Sequence, residues 1–302
     1  MALLFAHRSP ALELLGVTTV LGNASIDLTT RNALYLVERF NINAPVHRGA
    51  TKALQVPEDE VPTFVHGDDG LGNIQITPPA KTAGGNAARF IVDTIMAAPG
   101  EVTLVAIGRL TNLALALQLQ PRIADLVAEV IVMGGALGSN EFTGNVSPVA
   151  EANIYGDPHA ADIVFTAAWP VVLVGLDVTM QCVMRPQQTQ RLRDAGGEAG
   201  RFIWDITRHY EDFYRRRRSI DGFPIHDSAA IAYAIAPELF GGISGAVRVP
   251  TEGISRGQTI LVPADRQFPP SAWDDIPHCM GCTHVDVSGV LNLYEQTLLD
   301  NQ

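Results

Sequence analysis

The sequence is poor in three things, and each shortage narrows what the chain can be. Of its 302 residues only three are cysteine, Cys182, Cys279 and Cys282. That is too few for a disulfide framework, so a reducing compartment, the cytoplasm, is expected. Cys279 and Cys282 form a lone CxxC, without the further ligands of a zinc site or a thioredoxin-like context. Positive charge is scarce as well. With 21 Lys and Arg against 32 Asp and Glu, the formal net charge is -11, which lacks the basic footprint of a nucleic-acid or anionic-membrane partner. The one basic run, Arg215 to Arg218, follows Glu211 and Asp212. On a helix those acids stand one turn before Arg215 and Arg216, the pattern of a solvated, ion-paired face. Long apolar runs are the third shortage. None approaches the roughly 20 residues of a membrane span, and the apolar start (MALLFA) meets His7 and Arg8 without the basic n-region of a signal peptide.

What is present suits one large core: 47% of residues are hydrophobic and 18% charged. Residues 14–20 (LLGVTTV), 102–107 (VTLVAI), 129–133 (EVIVM) and 171–176 (VVLVGL) are near-continuous apolar runs. Such runs fit parallel strands buried on both faces. Helical patterns lie between them at 29–39, 86–98, 111–119 and 158–167. Strand alternating with helix predicts an α/β fold with a doubly wound, mostly parallel open sheet flanked by helices. No linker or internal repeat divides residues 1–302, so a single domain is expected. Residues 250–283 read as short strands and loops, followed by a last strand at 283–287 and a helix at 288–299. The first residues read as a helix closed by His7-Arg8-Ser9-Pro10, with no strand before it. A parallel sheet opening on a crossover helix implies that a first strand is missing.

In this architecture ligands collect where the strands end. There the sequence places Gly22-Asn23, Gly108-Arg109-Leu110-Thr111-Asn112, Gly134-Gly135, residues 144–153 (GNVSPVAEAN), Asp177-Val178-Thr179, residues 66–72 (HGDDGLG) and His226-Asp227. Amides, carboxylates and imidazoles without cationic partners suit a neutral polyhydroxyl ligand. A phosphate would call for Lys, Arg or a glycine-rich helix start, and Gly84-Gly85-Asn86 lacks the lysine.

These stretches resemble the inosine-uridine nucleoside hydrolase family, calcium-dependent enzymes that cleave the N-glycosidic bond of ribonucleosides. The resemblance runs almost the whole length of the chain. It rests on LLGVTTVLGN (14–23), HGDDGLG (66–72), VMGGA (132–136), GNVSPVAEANIYGDPHAA (144–161) and the His226-Asp227 pair. By that resemblance Asn23, Asn145, Glu151 and Asn153 hydrogen-bond the ribose. Asp227 is a calcium ligand that also contacts the sugar, and the Val132 carbonyl binds the metal. His226 helps to protonate the leaving base, His66 lies near the base or the 5′ end, and Tyr214 sits on a helix that covers the base. Family members are commonly dimers or tetramers, so a homodimer or homotetramer is implied.

The chemistry accounts for these residue types. Ribosyl C–N cleavage passes through an oxocarbenium-like state that needs a nearby carboxylate and an activated water. A metal lowers the pKa of that water, and an acid helps a poor leaving base to depart. Each residue also has a plainer reading. Asp227 before Ser228-Ala229-Ala230-Ile231 suits a helix N-cap, Asn23 and Asn145 suit turns, and His66 could serve only its glycine-rich loop. Glu151 and Asn153 alternate as on an extended segment. Two departures from the family pattern stand out. The acidic run of the form D-x-D-x-G-x-D-D, which supplies most calcium carboxylates and the base, is not in this sequence, and Arg109 stands where the family typically has proline. The first departure leaves open an enzyme with about 15–20 more residues, a non-catalytic nucleoside or ribose binder, or a partner of a complete homologue.

Overall fold

The computed structural model describes residues 1–57 and 62–299. The chain opens with α1 (Ala2–Arg8) and β1 (Val17–Thr18), followed by α2 (Ile26–Arg39), β2 (Val46–His47), α3 (Thr63–His66) and α4 (Ala87–Ala97). Next come β3 (Thr103–Ala106), α5 (Thr111–Leu119), β4 (Glu129–Met133), α6 (Ala152–Gly156), α7 (Pro158–Thr166), β5 (Val171–Val174) and α8 (Leu176–Thr179). The last third holds β6 (Val183–Met184), α9 (Pro186–Ala195), α10 (Gly197–Arg218), β7 (Phe223–Pro224), α11 (His226–Ile235), β8 (Phe240–Arg248), β9 (Ile260–Pro263), β10 (His278–Val285) and α12 (Val287–Leu299).

Six strands form the main sheet in the order β3-β4-β5-β10-β8-β9. The first four run parallel, while β8 pairs antiparallel with both β10 and β9. The expected mostly parallel sheet is therefore present, with an antiparallel margin of β8 and β9; β9 falls in the segment read as short strands and loops, whereas β8 precedes that segment and was not foreseen. The apolar runs explain its centre: β4 and β5 carry β-branched residues on both faces, and Val130, Ile131, Val132, Leu173 and Val174 have no exposed surface. One core packs α4, α5 and α7 on the sheet, with Ile95, Leu110, Ile123 and Phe165 fully enclosed. The other gathers α1, α2, α10, α11 and α12 around Phe5, Phe202 and Tyr294. Helices on both faces are the physical content of double winding.

Three expected strands shrink and one starts earlier: the run at 102–107 keeps only Thr103–Ala106, and the strand expected at 283–287 is β10, His278–Val285. The run at 14–20 contributes only Val17–Thr18, because its ladder with β2 covers just two residue pairs. The run at 171–176 stops at Val174, since Leu176 already begins α8. Helix starts follow their caps instead of the apolar period: Ser25 accepts from Leu28 N and starts α2 earlier than its periodic residues indicate. The basic run does lie on an exposed helical face, and Asp212 pairs with Arg216 as expected, but Glu211 does not pair with Arg215. Asp212 takes both Arg215 (2.7 Å) and Arg216 (2.9 Å), whereas Glu211 turns inward and binds Arg208 (2.6 Å). Glu211 shares the buried face of α10 with Thr207 and Tyr214, a spacing that withdraws it from Arg215.

Leu173 lies without exposed surface on β5, between β4 and β10. Leu173→Ala is expected to cost about 2–5 kcal/mol of unfolding free energy, measured as a lower urea midpoint at unchanged m-value.

Candidate active site

The carboxyl ends of the parallel strands are where the polar residues meet, and most of them first serve the fold. Asp157, fully buried, accepts from Leu54 N (2.9 Å), Thr111 Oγ1 (2.7 Å) and Ala160 N (3.1 Å). Asp177, also buried, accepts from Leu137 N, Ser139 N and Ser139 Oγ, each at 2.7 Å. Asn112 ties Ala50 N to Thr19 O, at 2.9 Å on each side. These groups are satisfied internally and shape the loops around the pocket.

Glu151 is different because only one of its oxygens is used. Oε2 accepts from Gly135 N (3.0 Å), Asn153 N (2.9 Å) and Ile154 N (3.2 Å), and Oε1 has no protein partner among the described residues. The residue caps α6, so Glu151 and Asn153 belong to a helix start and not to the extended segment their alternation suggested. They still converge: Asn153 Nδ2 donates to Met133 O (3.0 Å), at the end of β4. The turn that lets Glu151 in needs glycine. Gly135 has φ 71°, and a Cβ there would stand 2.5 Å from Thr259 Oγ1. Val132 sits one residue before Met133, buried between Ala106 of β3 and Leu173 of β5.

Asn145 borders this turn, with Oδ1 accepting from Ala152 N (3.0 Å) and its carbonyl from Arg218 (3.3 Å) at the end of α10. Asp227 lies in the first turn of α11, whose N-cap is Ile225 without a side-chain cap bond. The N-cap reading of Asp227 is thus corrected: the chain enters the helix two residues too early for it. His226 and Asp227 keep some exposed surface, as pocket-lining residues do. Burial pushes the Asp227 carboxyl up to about 6, with the α-amino group of Met1 pulling the other way. Burial pushes Glu151 up to about 7; its three backbone N–H bonds oppose that and the Asp227 charge adds to it.

Across from the carboxylates stands a wall of rings. His66, at the end of α3, accepts from Asn23 Nδ2 (3.0 Å) and stacks on Tyr210 (centroids 5.4 Å apart, 18° between planes). Tyr210 OH donates to Tyr214 OH (3.4 Å), and Tyr214 OH meets His226 Nε2 (3.0 Å). His226 Nδ1 lies 2.7 Å from Thr179 Oγ1. Desolvation pulls His66 and His226 down to about 4, with His209 adding to the effect on His66 and His66 adding to that on His226. Asp227 follows His226, the last ring of this wall, and its charge raises Tyr210, Tyr214 and Glu151.

Asn23, His66, Tyr214 and His226 therefore share the ring wall, and Asn145, Glu151 and Asn153 share the loop after β4. The sequence reading missed Tyr210 and the Met133 carbonyl, and it placed Thr179 at a strand end without giving it a role. Tyr210 had a signal, its one-turn spacing from Tyr214 on an amphipathic helix; the carbonyl had none. Arg109 does not enter the ligand space by its guanidinium: Nε lies 2.3 Å from where a Cβ on Gly156 would stand. The CxxC lies along β10, both sulfurs are buried and unpaired, and burial pushes each thiol up to about 12, which suits packing and not redox or metal chemistry.

Among the described residues no group of three or more His, Cys, Asp or Glu is placed to hold a metal ion. Calcium takes about 6–8 oxygen ligands, and here Asp227 and the free oxygen of Glu151 are the carboxylate donors facing the pocket. The described donor set does not fit calcium by itself, so no chemical step is routed through it.

The family model for inosine-uridine preferring nucleoside hydrolases matches residues 1–292. A probable uridine nucleosidase of Oryza sativa subsp. japonica is 38% identical over 99% of this chain and 92% of its own length. Among solved structures, a plant nucleoside hydrolase (PpNRh1) superposes with a TM-score of 0.94 at 35% identity, covering 99% of this chain and 94% of that one. A purine-preferring ribonucleoside hydrolase from Gardnerella vaginalis gives 0.89 at 33% identity, with the same coverage. The fold and site thus define an N-glycosidic bond hydrolase. The chain belongs to the inosine-uridine preferring nucleoside hydrolase family. The comparisons lend no support to the non-catalytic alternative.

A histidine held neutral by burial stabilises the fold above its unfolded pKa near 6.5 and loses that contribution as pH falls towards its folded value of about 4. His66→Gln is therefore expected to narrow the fall in melting temperature between pH 7 and pH 4. An unchanged pH dependence in thermal melts would contradict the desolvation of His66.

Proposed function

We propose that the chain hydrolyses ribonucleosides to ribose and free base, with the sugar on the carboxylate side of the pocket and the base against the rings. The observation that carries this reading is the pairing of two desolvated carboxylates, Glu151 and Asp227, with a tyrosine–histidine chain in one space. On the sugar side, Glu151 Oε1 and the Asp227 carboxylate accept ribose hydroxyl protons, and Asn145 Nδ2 and Asn23 act as amide donors. Positive charge develops on the ribosyl ring as the C–N bond lengthens, and carboxylates in a low-dielectric site stabilise it strongly. Water adds its hydroxyl to C1′ and releases a proton, while the departing base takes one on a ring nitrogen.

The His226–Tyr214 pair supplies that second proton, and Tyr210 and His66 offer flat faces to a purine or pyrimidine. The resemblance implies calcium, which would lower the pKa of the attacking water; Asp227 and the Val132 carbonyl are the groups it assigns to the ion, and by themselves they fall short of its coordination. The reading includes a cytoplasmic setting, in keeping with three unpaired, buried cysteines; among the described residues no helix is long and apolar enough to cross a membrane.

Reducing-sugar release from inosine and uridine, with added calcium and with chelator, tests the proposal. His226→Ala is expected to lower kcat by about 10²–10⁴ with a smaller change in KM, the range for loss of a general acid. Asp227→Asn is expected to lower kcat/KM at least as far. Release of ribose by neither the parent chain with calcium nor the chain with chelator would refute the assignment.

A further inference from the structure

Thr179 is fully buried at the end of α8, and its backbone groups are spoken for: its N–H donates to Gly175 O (3.0 Å) and its carbonyl accepts from Cys182 N (3.2 Å). Its hydroxyl has one partner among the described residues, His226 Nδ1 at 2.7 Å. Other helical threonines of this chain return the hydroxyl proton to a carbonyl one turn back, as Thr94 does to Phe90 O (2.7 Å) and Thr207 to Ile203 O (2.8 Å). Thr179 makes no such bond. A buried O–H without an acceptor carries the full desolvation penalty, whereas an unused lone pair on the same oxygen costs less. The Thr179 hydroxyl therefore directs its proton at His226 Nδ1.

We propose that Thr179 is a positioning residue for His226: its hydroxyl donates to Nδ1, placing the hydrogen of the neutral imidazole on Nε2, the nitrogen that faces Tyr214. Neutral imidazole has one donor and one acceptor, and filling the acceptor at Nδ1 fixes which is which. Nε2–H then donates to the Tyr214 oxygen, which also receives the Tyr210 hydroxyl. With two donors directed at that oxygen, Tyr214 keeps its own hydrogen for a ligand in the pocket. The order of donors, Thr179 to His226 to Tyr214, points every proton of the chain towards the base. The inference rests on the hydrolase reading only for its kinetic consequence; the tautomer stands on the hydrogen-bond geometry alone.

The test is nitrogen-15 NMR of histidine-labelled, nucleoside-free protein, with His226 assigned by its loss in His226→Gln. The parent protein should show a pyridine-like, hydrogen-bonded Nδ1 and a pyrrole-like Nε2. Thr179→Val should shift the Nδ1 resonance to that of an unbonded nitrogen and lower kcat roughly tenfold, equivalent to about 1.4 kcal/mol, with KM within about twofold. Thr179→Ser, which restores a hydroxyl, should recover both. A pyrrole-like Nδ1 in the parent protein would overturn the proposal, and so would a Thr179→Val protein with unchanged Nδ1 resonance or unchanged kcat. If Thr179→Val does not fold, the parent tautomer and the Thr179→Ser spectrum decide. If the parent protein hydrolyses no nucleoside, the functional reading fails while the spectra still judge the tautomer.

Discussion

A single carboxylate oxygen holds the pocket in shape. Glu151 Oε2 collects three backbone N–H groups from two segments, the turn after β4 and the first turn of α6. Neither segment could bury those donors without an acceptor, and no neutral side chain accepts so many at one point. The same bonds bring the start of α6 against the end of β4, from which Asn153 reaches Met133 O and Asn145 is set by Ala152 N. The arrangement carries an electrostatic consequence. A carboxylate removed from water and placed near a second one, Asp227, has its pKa raised despite three hydrogen bonds, to about 7. Glu151 is thus a structural cap and a poised acceptor together, with one oxygen for each duty.

The sheet and the order of the chemistry were readable in the sequence because they depend on local pattern. The apolar runs at 129–133 and 171–174 are strands since only a central parallel strand buries consecutive β-branched residues. The helix at 111–119 ends where its apolar period ends. Caps and edges escaped that reasoning. The start of α2 depends on a Ser25 side chain, and the length of β1 depends on how far β2 lies beside it. The motif residues converge as their spacing after the strands implied, yet their geometry was misread wherever a tertiary partner decided it. Asp227 missed the N-cap because Ile225 occupies that place. Glu211 left the ion-paired face because its helix buries that side. Thr179 was named among the strand-end residues, but its partner was not legible, because His226 lies far along the chain and shares no periodicity with it.

The two sides of the pocket are built by different kinds of contact, and that difference bears on substrate choice. On the sugar side, donors and acceptors are fixed by backbone bonds at the strand ends, so a change there disturbs the sheet as well as the ligand. On the base side, α10 and the segment carrying His66 meet through side chains. His209 Nε2 donates to Phe64 O (3.2 Å), Phe64 packs on Phe213 (5.9 Å) and His66 on Tyr210. Phe64 itself is 66% exposed, so little of the core depends on it. In the proposed reading, substitution on this side alters the surface offered to the base and leaves the backbone-fixed groups at the strand ends in place. Family members are named for uridine in one case and purine in another, and the proposed reading puts that difference in the side-chain wall and not in the groups fixed by buried backbone.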